Sequence, residues 1–319
     1  MLPPLLVTLL VFSFIVTGCD GFNSPLKFFI AESSRHGGGG EGTPEDPFRI
    51  SDPTHLERIG VDPGWGLDMY YTLTSDIDLT EINWRPIASD NTPFTGSFNG
   101  NGHTINGLNI ANPTADDSGN GLFAHIGSGG VVRNLGLTAV DIYAGNTSTN
   151  VGAIAGINNN GAILNSFVEG IGIVGGDNVG GIVGHNMGGG TIRNSYAALD
   201  VTGNSHVGGI VGQNSFGGIT NTVALNPNVI ANNLSAGRVA GSTGGGNLNM
   251  NHAIDTMDGS FSAGSGHTTL NGQDLAVAES RSASWWVNPF NWAGGSHWED
   301  PDVWSLEDGR YPSLVIIWE

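Results

Sequence analysis

One feature constrains this chain more than any other: it repeats. Three successive stretches open VGAIAGIN at Val151, VGGIVGHN at Val179 and VGGIVGQN at Val207. Each continues through a glycine-rich turn to a second short motif, ILNS at Ile163, IRNS at Ile192 and ITNT at Ile219. Counted from valine to valine, through Val151, Val179, Val207 and Val239, the steps are 28, 28 and 32 residues. Apolar positions recur at Ile154, Ile182 and Ile210, then at Ile163, Ile192 and Ile219. Asparagines recur at Asn158, Asn186 and Asn214, and again at Asn165, Asn194 and Asn221. Val132-Arg133-Asn134 reads as a worn copy of the second motif, and Leu122-Phe123 as one of the first.

Nothing within a repeat is long enough for a helix; each offers short β-rich runs broken by Gly and Asn. One such unit cannot bury its own apolar face, whereas stacked units share a continuous core. Strands stacked about 4.8 Å apart set like residues above like. The isoleucines then become internal aliphatic columns, and the asparagines become hydrogen-bonded ladders. The reading is an all-β, right-handed parallel β-helix (a β-solenoid) with about 28 residues per coil. Propellers need periods of about 40 or more. Glycine is abundant, 52 residues of 319, but keeps no strict three-residue period, which excludes collagen.

Around this centre the chain divides into expected regions. Residues 84–268 form the solenoid, clearest at 151–238. Trp84-Arg85-Pro86-Ile87 and the alternating Phe94 and Phe98 suit a lead-in coil. Residues 239–268 read as degraded coils in which Leu248 and Ile254 keep the apolar spacing. Residues 43–83 form an N-terminal cap: Thr54-His-Leu-Glu57 has capping-box spacing and predicts a short helix over about 53–60. Leu56 and Ile59 are placed to cover the end of the stack. Residues 269–319 form a C-terminal cap, because solenoid ends expose core and sheet edges. Six of the eight tryptophans fall there, among them Trp292 and Trp298.

The start of the chain reads differently. Residues 1–18 are apolar from Leu5 to Val16 and end in small residues before Cys19, the sole cysteine. An apolar segment this short reads as a signal peptide rather than a span. The junction Val16-Thr17-Gly18-Cys19 resembles a bacterial lipobox, which implies cleavage before Cys19 and acylation of its sulfur. Residues 19–42, with the run Gly37–Gly40, then read as a lipid-anchored flexible tether. The expected localisation is the bacterial cell envelope, exported and surface-exposed, with the membrane as a partner through the anchor.

The signature VGGIVGxN followed by I-x-NSYA resembles the GLUG-repeat proteins, as do PFTGSFNGNGHTI near Phe94 and the DGRYPSL run near Asp308. The resemblance covers roughly residues 42–319. It implies a parallel β-helix of the kind found in bacterial adhesin-like surface proteins and in the non-catalytic part of IgA1-type metallopeptidases. It implies no chemistry.

The residues point the same way. A net charge of −19, with 29 acidic residues against 10 basic ones, leaves no basic patch to track a nucleic-acid backbone. No histidine opens the His-Glu-x-x-His motif of a metallopeptidase; His297-Trp-Glu299 lacks the second histidine. Arg133 and Arg193 share a repeat column without a recurring carboxylate, so neither is matched to a lyase base. The closest acidic pairs, Asp76/Asp78 and Asp116/Asp117, sit in turns and read as surface charge rather than a calcium site. His185 and His206 lie in or beside Gly/Asn corners, at signature positions where Gln213 and Asn158 also appear, and read as solvent-facing. No catalytic residue, metal or cofactor is expected. The expected function is a non-enzymatic envelope lipoprotein that displays a solenoid for adhesion to a surface glycan or protein. The alternatives are a carbohydrate-binding or carbohydrate-active β-helix, with Trp292 and Trp298 as a sugar platform, and a structural spacer or partner-binding subunit.

Overall fold

The computed structural model describes residues 38–111, 119–233, 236–261, 264–266, 268–295, 298 and 300–315, all within one compact unit, His36–Glu319. Cys19 and the tether up to residue 37, Asp116/Asp117, His297 and Glu299 lie outside the described residues. The unit is a parallel β-solenoid. Its first sheet stacks eight short strands in the order Phe48–Ile50, Tyr70–Leu73, Ser97–Asn99, Val131–Arg133, Ala162–Leu164, Thr191–Arg193, Gly218–Thr220 and Asn247–Asn249. A second, ten-stranded sheet carries the longer strands Gly136–Tyr143, Phe167–Val174 and Tyr196–Gly203. A third has five strands running from Phe123–Ile126 to Ala240–Gly244, and a fourth, of three, pairs Thr149–Gly152, Asp177–Gly180 and Ser205–Gly208.

The registers explain the repeat. Val132, Ile163, Ile192, Ile219 and Leu248 stand directly above one another in the first sheet. Ile154, Ile182 and Ile210 follow one another through backbone hydrogen bonds, 3.0 and 2.9 Å, and all six repeat isoleucines are fully buried. Towards the N-terminus the aliphatic column gives way to rings, Phe98, Tyr71 and Phe48. Leu248 and Ile254 are buried as expected. One step of the period differs. Gly208 pairs with Gly237 and Val211 with Ala240, so Val207 is followed in its column by Ala236 and Val239 takes the place of Ile210. The fourth repeat keeps a step of 29 residues (207 to 236), not 32.

Two asparagine ladders run up the coils, and their surroundings differ. Asn158, Asn186 and Asn214 are fully buried. Asn158 Nδ2 donates to Asn186 Oδ1 at 2.8 Å and Asn186 Nδ2 to Asn214 Oδ1 at 2.9 Å. Each amide also donates to a turn carbonyl, Gly161, Gly190 or Gly217. A Cβ on Gly190 would press into the Asn186 amide, so the buried ladder explains the glycine that follows it. The other ladder links Asn99, Asn134, Asn165, Asn194 and Asn221 with spacings of 3.1 to 3.4 Å. Its residues from Asn134 onward all have φ near +50°. Glycine would satisfy that backbone equally well; asparagine tolerates it and adds the side-chain link.

The ends depart from expectation. The N-terminal helix is Pro53–Arg58, but its cap is Asp52, whose carboxylate accepts from the His55 N–H at 3.1 Å. Thr54 instead donates to Asp52. Leu56 and Ile59 are buried as expected, beside Trp65 stacked on Phe48 at 4.8 Å. The stack itself begins at Phe48, well before residue 84. Part of the expected tether is also structured. Gly39 O accepts from the Arg49 N–H at 3.0 Å and Asp46 O from Glu41 at 2.9 Å, so residues 38–42 run back along the first strand and cover its edge. Any side chain at Gly38 or Gly40 would collide with the carbonyl oxygens of Arg49 and Pro47. The glycines serve close approach here.

At the other end, Gln273–Leu275 is the last strand of the second sheet. Arg238 closes the stack: it is 7% exposed and donates to Ile254 O and to Asp274. The tryptophan-rich segment then folds back over the flank. Val168, Ala197 and Ala224 point into the core, so their neighbours Phe167, Tyr196 and Val223 point outward. Phe167 and Tyr196 stack at 5.3 Å, and around Tyr196 lie Trp286, Trp298, Trp304 and Tyr311 with centroids 6.1 to 6.4 Å away. His252, next but one below in that column, meets Trp285 and Trp292 at 4.9 and 5.3 Å. The segment also ends the outer ladder: Ala293 N–H donates to Asn221 Oδ1 at 2.8 Å. It covers a side of the stack.

Candidate functional site

The acidic candidates are tied into local structure. Asp78 accepts from the hydroxyl and the N–H of Thr80 and from Asn106, which holds its carboxyl below the usual range. Asp76 accepts from Thr104 N–H at 2.8 Å and lies 3.3 Å from His103. The two acids therefore work separately and do not converge on one point. Among the described residues no group of three or more His, Cys, Asp or Glu could hold a metal ion.

His185 stands in register between Ile157 and Gln213; Asn158 belongs to the neighbouring column, so of the two amides only Gln213 shares the position of His185. The His185 ring is half-buried, and Nε2 lies 3.0 Å from Ser215 Oγ. Burial, reinforced by His206, pushes its pKa down. A neutral imidazole beside a hydroxyl is two members of a nucleophilic triad, but no carboxylate among the described residues orients its other nitrogen. His206 extends a third amide ladder: Asn178 Nδ2 donates to Asn150 Oδ1 at 2.9 Å, and His206 Nδ1 lies 3.1 Å from Asn178 Oδ1. Its φ is +53°, matching the two asparagines.

The tryptophan platform is corrected. Trp292 is 3% exposed and Trp298 0%. Their faces meet Trp286 at 5.8 and 4.5 Å and one another at 5.5 Å, so neither ring is available for a sugar to stack on. The Tyr196 hydroxyl beneath them lies 2.7 Å from Glu169 Oε1 and 2.8 Å from Pro312 O. Burial, with Glu169 adding to it, pushes that phenol well above its ordinary pKa.

What remains outward-facing is sided. Along the first sheet the outer positions run Arg49, which pairs with Asp46 at 3.0 Å, then Thr72, Asn99, Arg133, Leu164, Arg193, Thr220 and Asn249 in one column. Tyr70, Ser97, Val131, Ala162, Thr191, Gly218 and Asn247 form the other. Neither column contains an acid. Along the second sheet the outer column Asn109, Asp141, Gly172, Asp200 contains acids and no base. The acid column is hidden in the sequence. Asp141 follows Arg133 by eight residues and Asp200 follows Arg193 by seven, because a bulge shifts the register between Glu169 and Gly172.

Residues 175–202 match the family model of the GLUG motif. That one stretch carries the motif. Over 137 residues, 41% of the chain, the sequence is 42% identical to a protein of Evansella cellulosilytica provisionally named a Gly-rich membrane protein. Over 132 residues, 38% of the chain, it is 36% identical to halomucin of Haloquadratum walsbyi. The matched regions span only 15% and 1% of those two proteins. The GLUG-bearing solenoid superposes on a solved structure from Bacteroides ovatus, provisionally described as an immunoglobulin A1 protease, with a TM-score of 0.55. That superposition covers 86% of this chain and 94% of the other at 19% identity, a likeness of fold.

Proposed function

We propose that this GLUG-repeat chain is a non-enzymatic protein of the cell envelope, anchored through a lipid on Cys19, whose solenoid is displayed for adhesion or other surface contact. One observation carries the reading. In the repeats the asparagines are spent on holding coils together and the charged side chains stand apart in outer columns, so function falls to those regular outer faces. The names of the relatives, a Gly-rich membrane protein and halomucin, support an envelope setting, and the lipobox-like junction supplies an anchor. Two acyl chains give stable attachment without a membrane span.

The test is fractionation. Wild-type protein should partition with membranes into detergent and be cleaved by protease added to intact cells. Cys19→Ser should leave it in the soluble fraction or unprocessed. A Cys19→Ser product that remains membrane-bound and detergent-partitioning removes the lipid anchor from the reading, and protection from external protease removes surface display.

A further inference from the structure

We propose that a second copy of this chain docks side by side on the first, the arginine column of one copy facing the aspartate column of its neighbour. Arg133, Leu164 and Arg193 stand in register on successive coils. Asp141, Gly172 and Asp200 stand in register on the same three coils, one sheet further along the chain. In both triplets the charges are two coils apart, roughly 9.6 Å at about 4.8 Å per strand. The backbone stack sets this spacing, not flexible side chains, so two parallel copies present matching rulers. Arg133 of one then faces Asp141 of the next, and Arg193 faces Asp200, while Leu164 meets the space left by Gly172.

The charges on these faces are available. Arg133, Arg193 and Asp141 are exposed, and no ion pair among the described residues engages them. Asp200 accepts from Asn228 at one oxygen, at 2.9 Å, which leaves the second for a guanidinium. In a chain of net charge −19, two unpaired arginines in a column that itself holds no acid call for an anionic partner, and the chain carries one with the right spacing. Apolar surface points to the same place. Ile171, Tyr143 and Ile230 are 70, 52 and 40% exposed. They flank the aspartate column, Tyr143 and Ile230 sharing the next outer column through Val174 and Thr202. Val131, Ala162 and Leu164 offer a low apolar surface between the arginines. Such a contact joins two different faces, so each copy keeps one face open for a further copy and assembly goes beyond a dimer, into a ring or an open array.

The test uses two variants of the full chain in mild detergent, followed by sedimentation velocity. Arg133→Glu with Arg193→Glu makes both faces acidic, and Asp141→Arg with Asp200→Arg makes both basic. Wild-type chain should self-associate at low salt and dissociate near 1 M NaCl, where the Debye length is about 3 Å. Each variant alone should associate at least about tenfold more weakly, and an equimolar mixture should recover association, because every junction is then complementary. Misfolding cannot produce that recovery. A wild-type chain that stays monomeric, variants that associate like wild type, or a mixture that fails to recover would each overturn the proposal. An arginine-dependent retention on immobilised polyanion by a monomeric chain would reassign the column to an anionic ligand. Protease cleavage on intact cells by a chain that stays monomeric would leave surface display standing without the lateral contact.

Discussion

The coils between Val151 and Ala224 and the segment after Ala276 are both densely packed, but by opposite means. In the coils each position keeps its residue type from rung to rung, and identical neighbours satisfy one another: isoleucine over isoleucine, amide over amide. In the C-terminal segment the helices Val277–Ser280 and Ala283–Trp286 are four residues each. Its order comes from rings wedged together, with Trp286–Trp298 and Trp298–Trp304 both 4.5 Å apart. Stacked coils form a nearest-neighbour system in which each unit leans on the next. The aromatic segment leans on an outer face and adds no rung. The contrast implies two layers of stability, a solenoid that stands by its own repetition and a side cover that depends on it.

The strongest way to break the comparison is to charge the inner column. Ile182→Asp would bury an unpaired carboxylate between Ile154 and Ile210, at a cost of about 5 kcal/mol or more. Both regions should unfold together, read as coincident loss of far-ultraviolet dichroism and tryptophan fluorescence. Truncating the cover should act on one region only. Trp298→Ala removes a fully buried ring, worth about 3–4 kcal/mol in a cooperative core. Here it should red-shift the tryptophan emission and lower its unfolding midpoint while the dichroism midpoint of the coils moves far less. Equal shifts in both signals would show that cover and coils are one cooperative unit.

The sequence made the coils legible because period, apolar columns and amide ladders are the same fact seen three ways. The six isoleucines and the outer asparagines could be placed from spacing alone. The cover was legible only as composition: a cluster of tryptophans announces burial, but nothing in the order of Trp286, Trp298 and Trp304 says they would bury Tyr196 on the flank. The sugar platform failed for that reason. The aspartate column escaped because a one-residue bulge breaks its period. The structured Gly38–Gly40 run escaped because glycine-rich sequence reads the same whether it is a spacer or a close approach. Arg238 and Asp274 are 36 residues apart, and no local pattern announces such a pair.

The two ladders sharpen the comparison further, since they have the same chemistry in different surroundings. Asn186→Ala would leave Asn158 Nδ2 and Asn214 Oδ1 each without its buried ladder partner, costing about 2–3 kcal/mol. Asn165→Ala cuts the half-exposed outer ladder, where water replaces the lost links. Its cost is under about 1 kcal/mol from the hydrogen bonds, together with whatever alanine loses in a backbone at φ +48°. Denaturant midpoints at neutral pH should rank the pair in that order. A larger effect at Asn165 would mean that left-handed backbone geometry, rather than the buried amides, fixes the register.

The smallest effect is a matter of pH. His185 is half-buried on the outer side of the third sheet, and burial, with His206 nearby, lowers its pKa below the usual 6.5. The unfolded chain therefore binds a proton at a higher pH than the folded one does. Above about pH 6.5 both states are neutral there and His185 costs nothing. As the pH falls through 6.5 towards the folded value, the unfolded state gains protons first and stability drains away. His185→Gln places in this coil the residue that Gln213 already provides in the next, so at pH 8 the change should stay within about 0.5 kcal/mol. Between pH 6.5 and 5 the variant should lose less stability than wild type, and the two midpoint curves should converge or cross. Parallel curves across that interval would show that the imidazole titrates as if in water, and that the outer face of the third sheet is more open than its half-buried ring indicates.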